Sequence, residues 1–441
     1  MAFLTSSDKA LWHLALPMIF SNITVPLLGL VDTAVIGHLD SPVYLGGVAV
    51  GATATSFLFM LLLFLRMSTT GLTAQAYGAK NPQALARALV QPLLLALGAG
   101  ALIALLRTPI IDLALHIVGG SEAVLEQARR FLEIRWLSAP ASLANLVLLG
   151  WLLGVQYARA PVILLVVGNI LNIVLDVWLV MGLHMNVQGA ALATVIAEYA
   201  TLLIGLLMVR KILKLRGISG EMLKTAWRGN FRRLLALNRD IMLRSLLLQL
   251  CFGAITVLGA RLGSDIIAVN AVLMTLLTFT AYALDGFAYA VEAHSGQAYG
   301  ARDGSQLLDV WRAACRQSWI VALLFSVVYL LAGEHIIALL TSLTQIQELA
   351  DRYLIWQVIL PLVGVWCYLL DGMFIGATRA AEMRNSMAVA AAGFALTLLT
   401  LPWLGNHGLW LALTVFLALR GLSLAAIWRR HWRNGTWFAA T

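Results

Sequence analysis

The stretch Gln75-Ala-Tyr-Gly-Ala-Lys80 occurs again, almost unchanged, as Gln297-Ala-Tyr-Gly-Ala-Arg302. The two copies are 222 residues apart in a chain of 441 residues, so the spacing is close to half its length. A single short match can arise by chance, whereas several at one spacing indicate an internal duplication. Matches at the same spacing join Ala49-Val50 to Ala271-Val272, Phe131-Leu132 to Tyr353-Leu354, Gly150 to Gly372 and Gly154 to Gly376.

The composition predicts that lipid covers this duplicated chain. Hydrophobic residues make up 61% of it and charged residues only 12%, whereas soluble domains carry about 25% charged residues. Runs of about 20 apolar residues, long enough to cross a bilayer, number twelve. Their spans are 10–37, 44–70, 88–107, 124–153, 161–182, 188–209, 241–261, 265–294, 314–333, 353–377, 385–404 and 408–428. The predicted fold class is an all-α membrane protein of twelve transmembrane helices.

The duplication divides these helices into two repeats of six. An even number of helices gives both repeats the same orientation, related by a parallel pseudo-two-fold axis along the membrane normal. The predicted organisation is an N-lobe (1–209), a cytoplasmic basic linker (210–240) and a C-lobe (241–441). Two equivalent lobes suit alternating access in a transporter, whereas a receptor or a membrane enzyme has no need of such a duplication.

The net charge of +9 does not predict nucleic-acid binding, because the basic residues lie between apolar runs rather than on a polar domain. Their distribution follows the positive-inside rule and predicts an inner-membrane protein with both termini in the cytoplasm. Anionic lipid is expected to hold the linker 210–240 at the inner leaflet. A simple topogenic charge run explains the same pattern.

Several kinds of site are absent from the sequence. There is no G-x-x-x-x-G-K-[ST] loop for a nucleotide and no H-E-x-x-H or G-x-S-x-G motif for a hydrolase. The three cysteines are too far apart to suggest a metal site. We therefore expect no enzymatic activity, no cofactor and no metal. A monomer in the membrane is a separate expectation.

Ionisable residues within a membrane mark function by default, because their burial is costly. At 1.5 Å per residue, Asp32, Asp176 and Thr194 lie at a similar depth, roughly 9–12 Å below the outer surface. Asn172 is one turn before Asp176 and faces the same way. Two nearby carboxylates in a low dielectric do not readily both ionise, so the four residues predict a proton or cation site. Pairing of each acid with an arginine, or capping of a broken helix, is the structural alternative.

Further polar residues are secondary candidates for the same function. Asn169 shares the face of Asp176, and Glu198 follows Thr194 by one turn. In the second repeat the acids within apolar spans are Asp285, Glu292 and Asp371. For these three, structural pairing with Arg66, Arg379 or the backbone is as consistent with the sequence as a role in transport.

Two prolines interrupt the first apolar run, which carries Asp32. Proline removes a hydrogen bond and kinks a helix. Pro17 and Pro26 therefore predict a hinge that moves when the carboxylate is protonated, or a static kink. The spacings Gly150-x-x-x-Gly154 and Gly372-x-x-x-Gly376 predict close helix packing.

Motifs over essentially the whole chain resemble the multidrug and toxic compound extrusion (MATE) family. Leu16-Pro17, Val31-Asp32-Thr33 and the paired Gln-Ala-Tyr-Gly-Ala segments are similar to those of the family. The segments 169–176 and 285–292 resemble its DinF branch.

The resemblance implies an antiporter that expels amphipathic, often cationic compounds against inward proton or sodium flow. In that branch the coupling residues match Asp32, Asn172, Asp176 and Thr194, and the bending proline matches Pro17. Another branch carries a glutamate where this chain has Gln249, so we favour protons over a C-lobe sodium site. A lipid-linked oligosaccharide flippase of the same superfamily is the competing hypothesis, and a receptor or scaffold is a third.

Overall fold

The computed structural model describes residues 4–439, apart from the side chains of residues 26–30. The described residues form helices joined by short turns, without β-strands. The twelve long helices are α1 Ser6–Gly37, α2 Pro42–Gly78, α3 Pro82–Leu105, α4 Glu122–Gly154, α5 Arg159–Gly182, α6 Asn186–Leu215, α7 Arg232–Arg261, α8 Ser264–Gly300, α9 Gly304–Leu340, α10 Thr344–Gly376, α11 Ala380–Leu404 and α12 Asn406–Asn434. In the part of the chain that the structure describes, α2 to α12 are long and apolar enough to cross a membrane.

Together with the 32-residue α1, these helices confirm the predicted fold class of twelve helices in two repeats. Two shorter helices follow α3 and α6, at Arg107–Val118 and Gly220–Thr225. Several long helices contain irregular turns: α2 is interrupted after Leu61, and α4 has a 3₁₀ turn at Trp136–Ser138.

The repeated sequence motif forms the same turn twice. Lys80 and Arg302 both have a φ of 53°, in the left-handed region. Each lies just after a long helix and just before the residue that caps the next one. Asn81 accepts a hydrogen bond from the amide of Ala84 at 3.2 Å, and Asp303 caps α9 in the same way. The duplication seen in the sequence is therefore also a duplication of local backbone structure.

The helices belong to two compact units. The first unit is Phe20–Leu235, and the second unit combines the chain up to Ile19 with Ala236 onward. The predicted limits of the N-lobe (1–209), linker (210–240) and C-lobe (241–441) stay predictions. Each unit has its own apolar cores, which include Trp151 and Trp136 in the first unit and Trp410 and Phe416 in the second.

Glycines bring helices together within each unit. A Cβ atom on Gly150 of α4 would lie 2.6 Å from the carbonyl oxygen of Arg66 on α2. A Cβ on Gly372 of α10 would lie 2.7 Å from the carbonyl oxygen of Ala288 on α8. The two glycine motifs are thus equivalent packing positions, where the absence of a side chain lets two helix backbones approach.

Candidate ion-coupling site

The first unit contains a pair of carboxyl groups in contact. The side chains of Asp32 on α1 and Asp176 on α5 lie within hydrogen-bonding reach of each other. Asp176 is completely buried and Asp32 is half-buried. Among the described residues, no protein donor reaches either carboxylate oxygen of Asp176. Because ionised carboxylates only accept hydrogen bonds, the contact becomes a bond when one of the two acids carries a proton.

Amide and hydroxyl groups extend this pair along α5 and α6. Asn172, one turn before Asp176, donates to Thr194 Oγ1 at 3.3 Å and is only 4% exposed. The same hydroxyl lies 3.2 Å from the carbonyl oxygen of Ala190, to which it donates within α6. The four predicted residues, three from depth and Asn172 from the helical period, therefore lie in one region of the first unit, with α5 and α6 held together by the Asn172–Thr194 contact.

The backbone around Asp176 is irregular. The α-helical segment Gly168–Asp176 lies between two π-helical segments, Val162–Val167 and Val177–Gly182. Such widened turns are rare and occur often at functional sites. They change the rotational phase of α5 just before and just after the polar residues, which sets where Asn172 and Asp176 point.

Two of the secondary candidates make different contacts. Asn169 donates to Thr24 Oγ1 at 3.0 Å, which joins α5 to α1 eight residues before Asp32. Glu198 accepts from Asn145 on α4, through its carboxylate at 3.0 Å and its backbone carbonyl at 3.1 Å. Asn169 therefore supports the helix that carries Asp32, while Glu198 ties α6 to α4.

A cation that the sequence did not single out lies near these acids. Arg135, at the break in α4, interacts electrostatically with Glu198 and Asp32. Its guanidinium carbon is 5.4 Å from the centre of the Phe59 ring and it also bonds to Ser138 Oγ. The sequence signal was weak, because an arginine near the predicted outer end of a helix is ordinary for a topogenic residue.

The acids of the second unit differ in their environment. Asp371 Oδ2 accepts from Arg244 at 2.6 Å and also from Arg420. These three residues, on α10, α7 and α12, are each less than a tenth exposed. Arg379, which the sequence offered as a partner for these acids, instead pairs with Glu382 at 3.0 Å. Asp371 is therefore the shared anion of a buried ion cluster.

Asp285 and Glu292 both lie on α8 in the second unit. Asp285 is half-buried and interacts electrostatically with Tyr282 and Tyr368, and Glu292 is 2% exposed. The structure thus brings Asp285 near the ion cluster of Asp371.

The predicted hinge lies in a continuous helix. Pro17 is half-buried within α1, and the backbone is helical from Ser6 to Gly37. The side chain of Pro26 lies outside the described residues. The boundary of the two compact units, between Ile19 and Phe20, falls two residues after Pro17.

The MatE family model matches residues 17–178 and 241–404, most of the chain and both repeats. The chain therefore belongs to the MatE family, a family of membrane transporters. It is 99% identical over 441 residues to DNA damage-inducible protein F from Escherichia coli (strain K12), covering 100% of this chain and 96% of that protein. The resemblance to the MATE family and its DinF branch is confirmed.

More distant proteins resemble the chain over most of its length. The chain is 26% identical over 392 residues to the probable multidrug resistance protein NorM of Thermotoga maritima, covering 84% of this chain and 79% of that protein. A solved structure described as MATE in the bent conformation has a TM-score of 0.84 at 20% identity, with 99% of this chain and 98% of that chain covered. An outward-facing multidrug resistance MATE family transporter gives a TM-score of 0.82 at 21% identity, over the same shares of the two chains. At these identities the two structures establish the fold alone.

Proposed function

We propose that this protein is a secondary active efflux transporter, rather than an enzyme, that exchanges protons for amphipathic or cationic organic compounds. The observation that carries the proposal is the contact of Asp32 with Asp176. In a low-dielectric interior, two ionised carboxylates at hydrogen-bonding distance repel strongly, and one shared proton removes that repulsion. The pair is thus suited to take up and release a single proton as its access to water changes.

The helices that carry the pair suggest how proton binding drives transport. Asp32 is on α1, whose half-buried Pro17 lies near the boundary of the two compact units. Protonation changes the charge that α1 presents to α5, so the position of the outer part of α1 depends on the proton. Alternating access of two lobes then couples that movement to release of the organic compound.

Sodium is the second candidate for the coupling ion. Asp176 has two buried oxygens without a protein donor among the described residues. The Asn172 carbonyl and the Thr194 hydroxyl provide further oxygen atoms in the same region. Hard cations prefer such oxygen ligands, so the same residues would serve a sodium-coupled antiporter.

The remaining proposals concern the location, the partners and the oligomeric state of the transporter. The proposed location is the inner membrane with both termini in the cytoplasm, and the proposed partners are membrane lipids and small substrates. We propose a monomer that binds no nucleic acid. The 14 Trp, 15 Phe and 13 Met residues supply apolar and aromatic surface for substrates of varied shape.

A vesicle experiment tests the proposal. Purified protein is reconstituted in liposomes loaded with a fluorescent cationic dye, and a proton gradient and a sodium gradient are imposed separately. Dye movement driven by protons alone supports the proposal, while movement driven by sodium alone keeps the antiporter and replaces the ion. If neither the proton gradient nor the sodium gradient moves the dye, proton-coupled export of cationic compounds is contradicted.

A further inference from the structure

The beginning of α1 is attached to the second unit rather than to the first. Residues 5–19 are here called the leading segment. Within it, Leu11, Leu14 and Ala15 are each 2% exposed or less. The indole of Trp12 packs against the edge of Phe287 on α8, with ring centres 4.9 Å apart. The packing is close, because a Cβ on Gly286 would lie 2.3 Å from Ile19.

Polar contacts hold the leading segment at specific points of α8 and α9. Arg316 on α9 donates to Asp8 Oδ1 at 3.0 Å, and the Asp8 side chain is only 2% exposed. Trp12 Nε1 donates to Gln317 Oε1 at 3.0 Å. His294 Nε2 lies 3.1 Å from the carbonyl oxygen of Ala10, to which it donates.

The start of α7 makes the corresponding contact in the first unit. Residues 232–235, the first turn of α7, belong to the first unit, whereas α7 from Ala236 onward belongs to the second. Arg233 reaches Gln75 Oε1 at 3.4 Å, and Leu234 is 3% exposed. Gln75 opens the repeated Gln-Ala-Tyr-Gly-Ala motif, and His294 precedes its second copy by three residues. The first helix of each repeat thus places its amino-terminal end beside the motif of the other repeat.

We infer that the leading segment of α1 transmits the state of the Asp32–Asp176 pair to the second unit, with Asp8 and Arg316 as its positioning residues. The inference rests on the proposed function. Asp32 lies on the part of α1 that belongs to the first unit, while Asp8 and Trp12 lie on the part that belongs to the second. A movement of the outer part of α1 therefore passes along a continuous helix to α8 and α9. If the leading segment were detached from the second unit, α1 could move without passing the movement to α8 and α9.

A charge exchange tests the inference. Asp8→Arg and Arg316→Asp are made singly and together, and efflux is compared with amide hydrogen exchange over residues 5–19 in vesicles. Each single variant puts two like charges together, so we expect faster exchange and a fall in kcat of about ten-fold with KM unchanged, which corresponds to about 1.4 kcal/mol. The double variant restores the ion pair but not the hydrogen bond from the Thr5 amide to the Asp8 carboxylate, so it is expected to recover both values in part.

An exposed ion pair provides the matched control. Arg130 and Glu126 lie 2.9 Å apart on α4 and are more than half exposed. Swapping these two residues should change neither efflux nor amide hydrogen exchange. Single Asp8 or Arg316 variants with wild-type amide exchange would overturn the attachment of the segment. Faster exchange with wild-type efflux, or a folded double variant that recovers neither value, would overturn its role in transmission. Amide exchange does not depend on transport, so a wild-type protein that moves no dye contradicts the proposed function instead.

Discussion

Asp32 on α1 and Asp176 on α5 bring their carboxyl groups within hydrogen-bonding reach inside the first unit. The contact is made between helices far apart in the chain, and Asp176 is fully buried. A buried carboxylate pair without a counter-charge in direct contact is unfavourable when both groups are ionised. A shared proton is the simplest species that stabilises it, which is the basis of the proposed proton coupling.

The hydroxyl of Thr194 is expected to hold Asn172 in place beside this pair. Replacing Thr194 with Val keeps the shape of the side chain and removes the hydrogen bond to Asn172. A lost neutral hydrogen bond corresponds to about 1 kcal/mol, so we expect efflux to slow about five-fold. The control is Thr53→Val, since the hydroxyl of Thr53 donates to the Ala49 carbonyl of its own helix at an exposed position. Equal rates for both variants would remove Thr194 from the site.

The buried ion cluster of Asp371 is expected to matter for stability. Asp371→Asn leaves the guanidinium groups of Arg244 and Arg420 buried without their anion, which costs about 3–5 kcal/mol. Thermal unfolding in detergent should show a clear fall in Tm. The exposed pair of Asp112 and Arg129, 2.7 Å apart, is the comparison, and Asp112→Asn should leave Tm unchanged. A stable Asp371→Asn variant without efflux would instead give Asp371 a role in transport.

Close packing of α10 on α8 predicts a steric effect at Gly376. A Cβ there would lie 2.5 Å from Ser295 Oγ and 2.8 Å from the backbone nitrogen of Gly296. Because a backbone does not move aside easily, Gly376→Ala should lower the free energy of unfolding by about 1–3 kcal/mol. Gly98→Ala on α3 meets no atom within 4 Å and should be neutral or stabilising. A neutral Gly376→Ala would contradict the packing argument.

The pH dependence of the Asp8–Arg316 contact follows from the pKa of Asp8, which precedes the predicted apolar span. Burial raises this pKa, but hydrogen bonds from the Thr5 amide and Arg316 outweigh it, so the pKa lies below its ordinary value. A lowered pKa in the folded state stabilises the fold above the pKa of the unfolded chain, about 3.9, and the contribution disappears as the pH falls further.

The stability difference between wild type and Asp8→Asn should therefore be constant at neutral pH and shrink only in strong acid. It is measured as the difference in Tm over a series of buffers. A difference that already shrinks between pH 7 and pH 6 would contradict this account of the contact.

Depth along the helices groups the candidate coupling residues, but it does not give the partners of the other acids. Counting from the predicted helix ends placed Asp32, Asp176 and Thr194 at one level, and the helical period put Asn172 on the face of Asp176. The partners of Asp371 depend on the rotation of three helices about their axes. That rotation is set by packing, which hydropathy does not encode.

The duplication can be predicted from the sequence because its turns need specific residues, such as the caps at Asn81 and Asp303. The sequence does not predict the attachment of the leading segment to α8 and α9. Its residues look like the ordinary start of a membrane helix, and its partners follow some 300 residues later. The π-helical segments of α5 also leave no pattern in the sequence.

The most direct test of the central claim measures proton-driven dye efflux from liposomes for Asp32→Asn and Asp176→Asn. Both variants keep the shape of the side chain and remove a carboxyl group that can exchange a proton. Glu126→Gln, at an exposed position of α4, is the control and should transport like the wild type. We predict that both aspartate variants lose proton-driven efflux while the folded protein remains in the vesicles. Efflux that persists in both variants would contradict the assignment of the coupling site to Asp32 and Asp176.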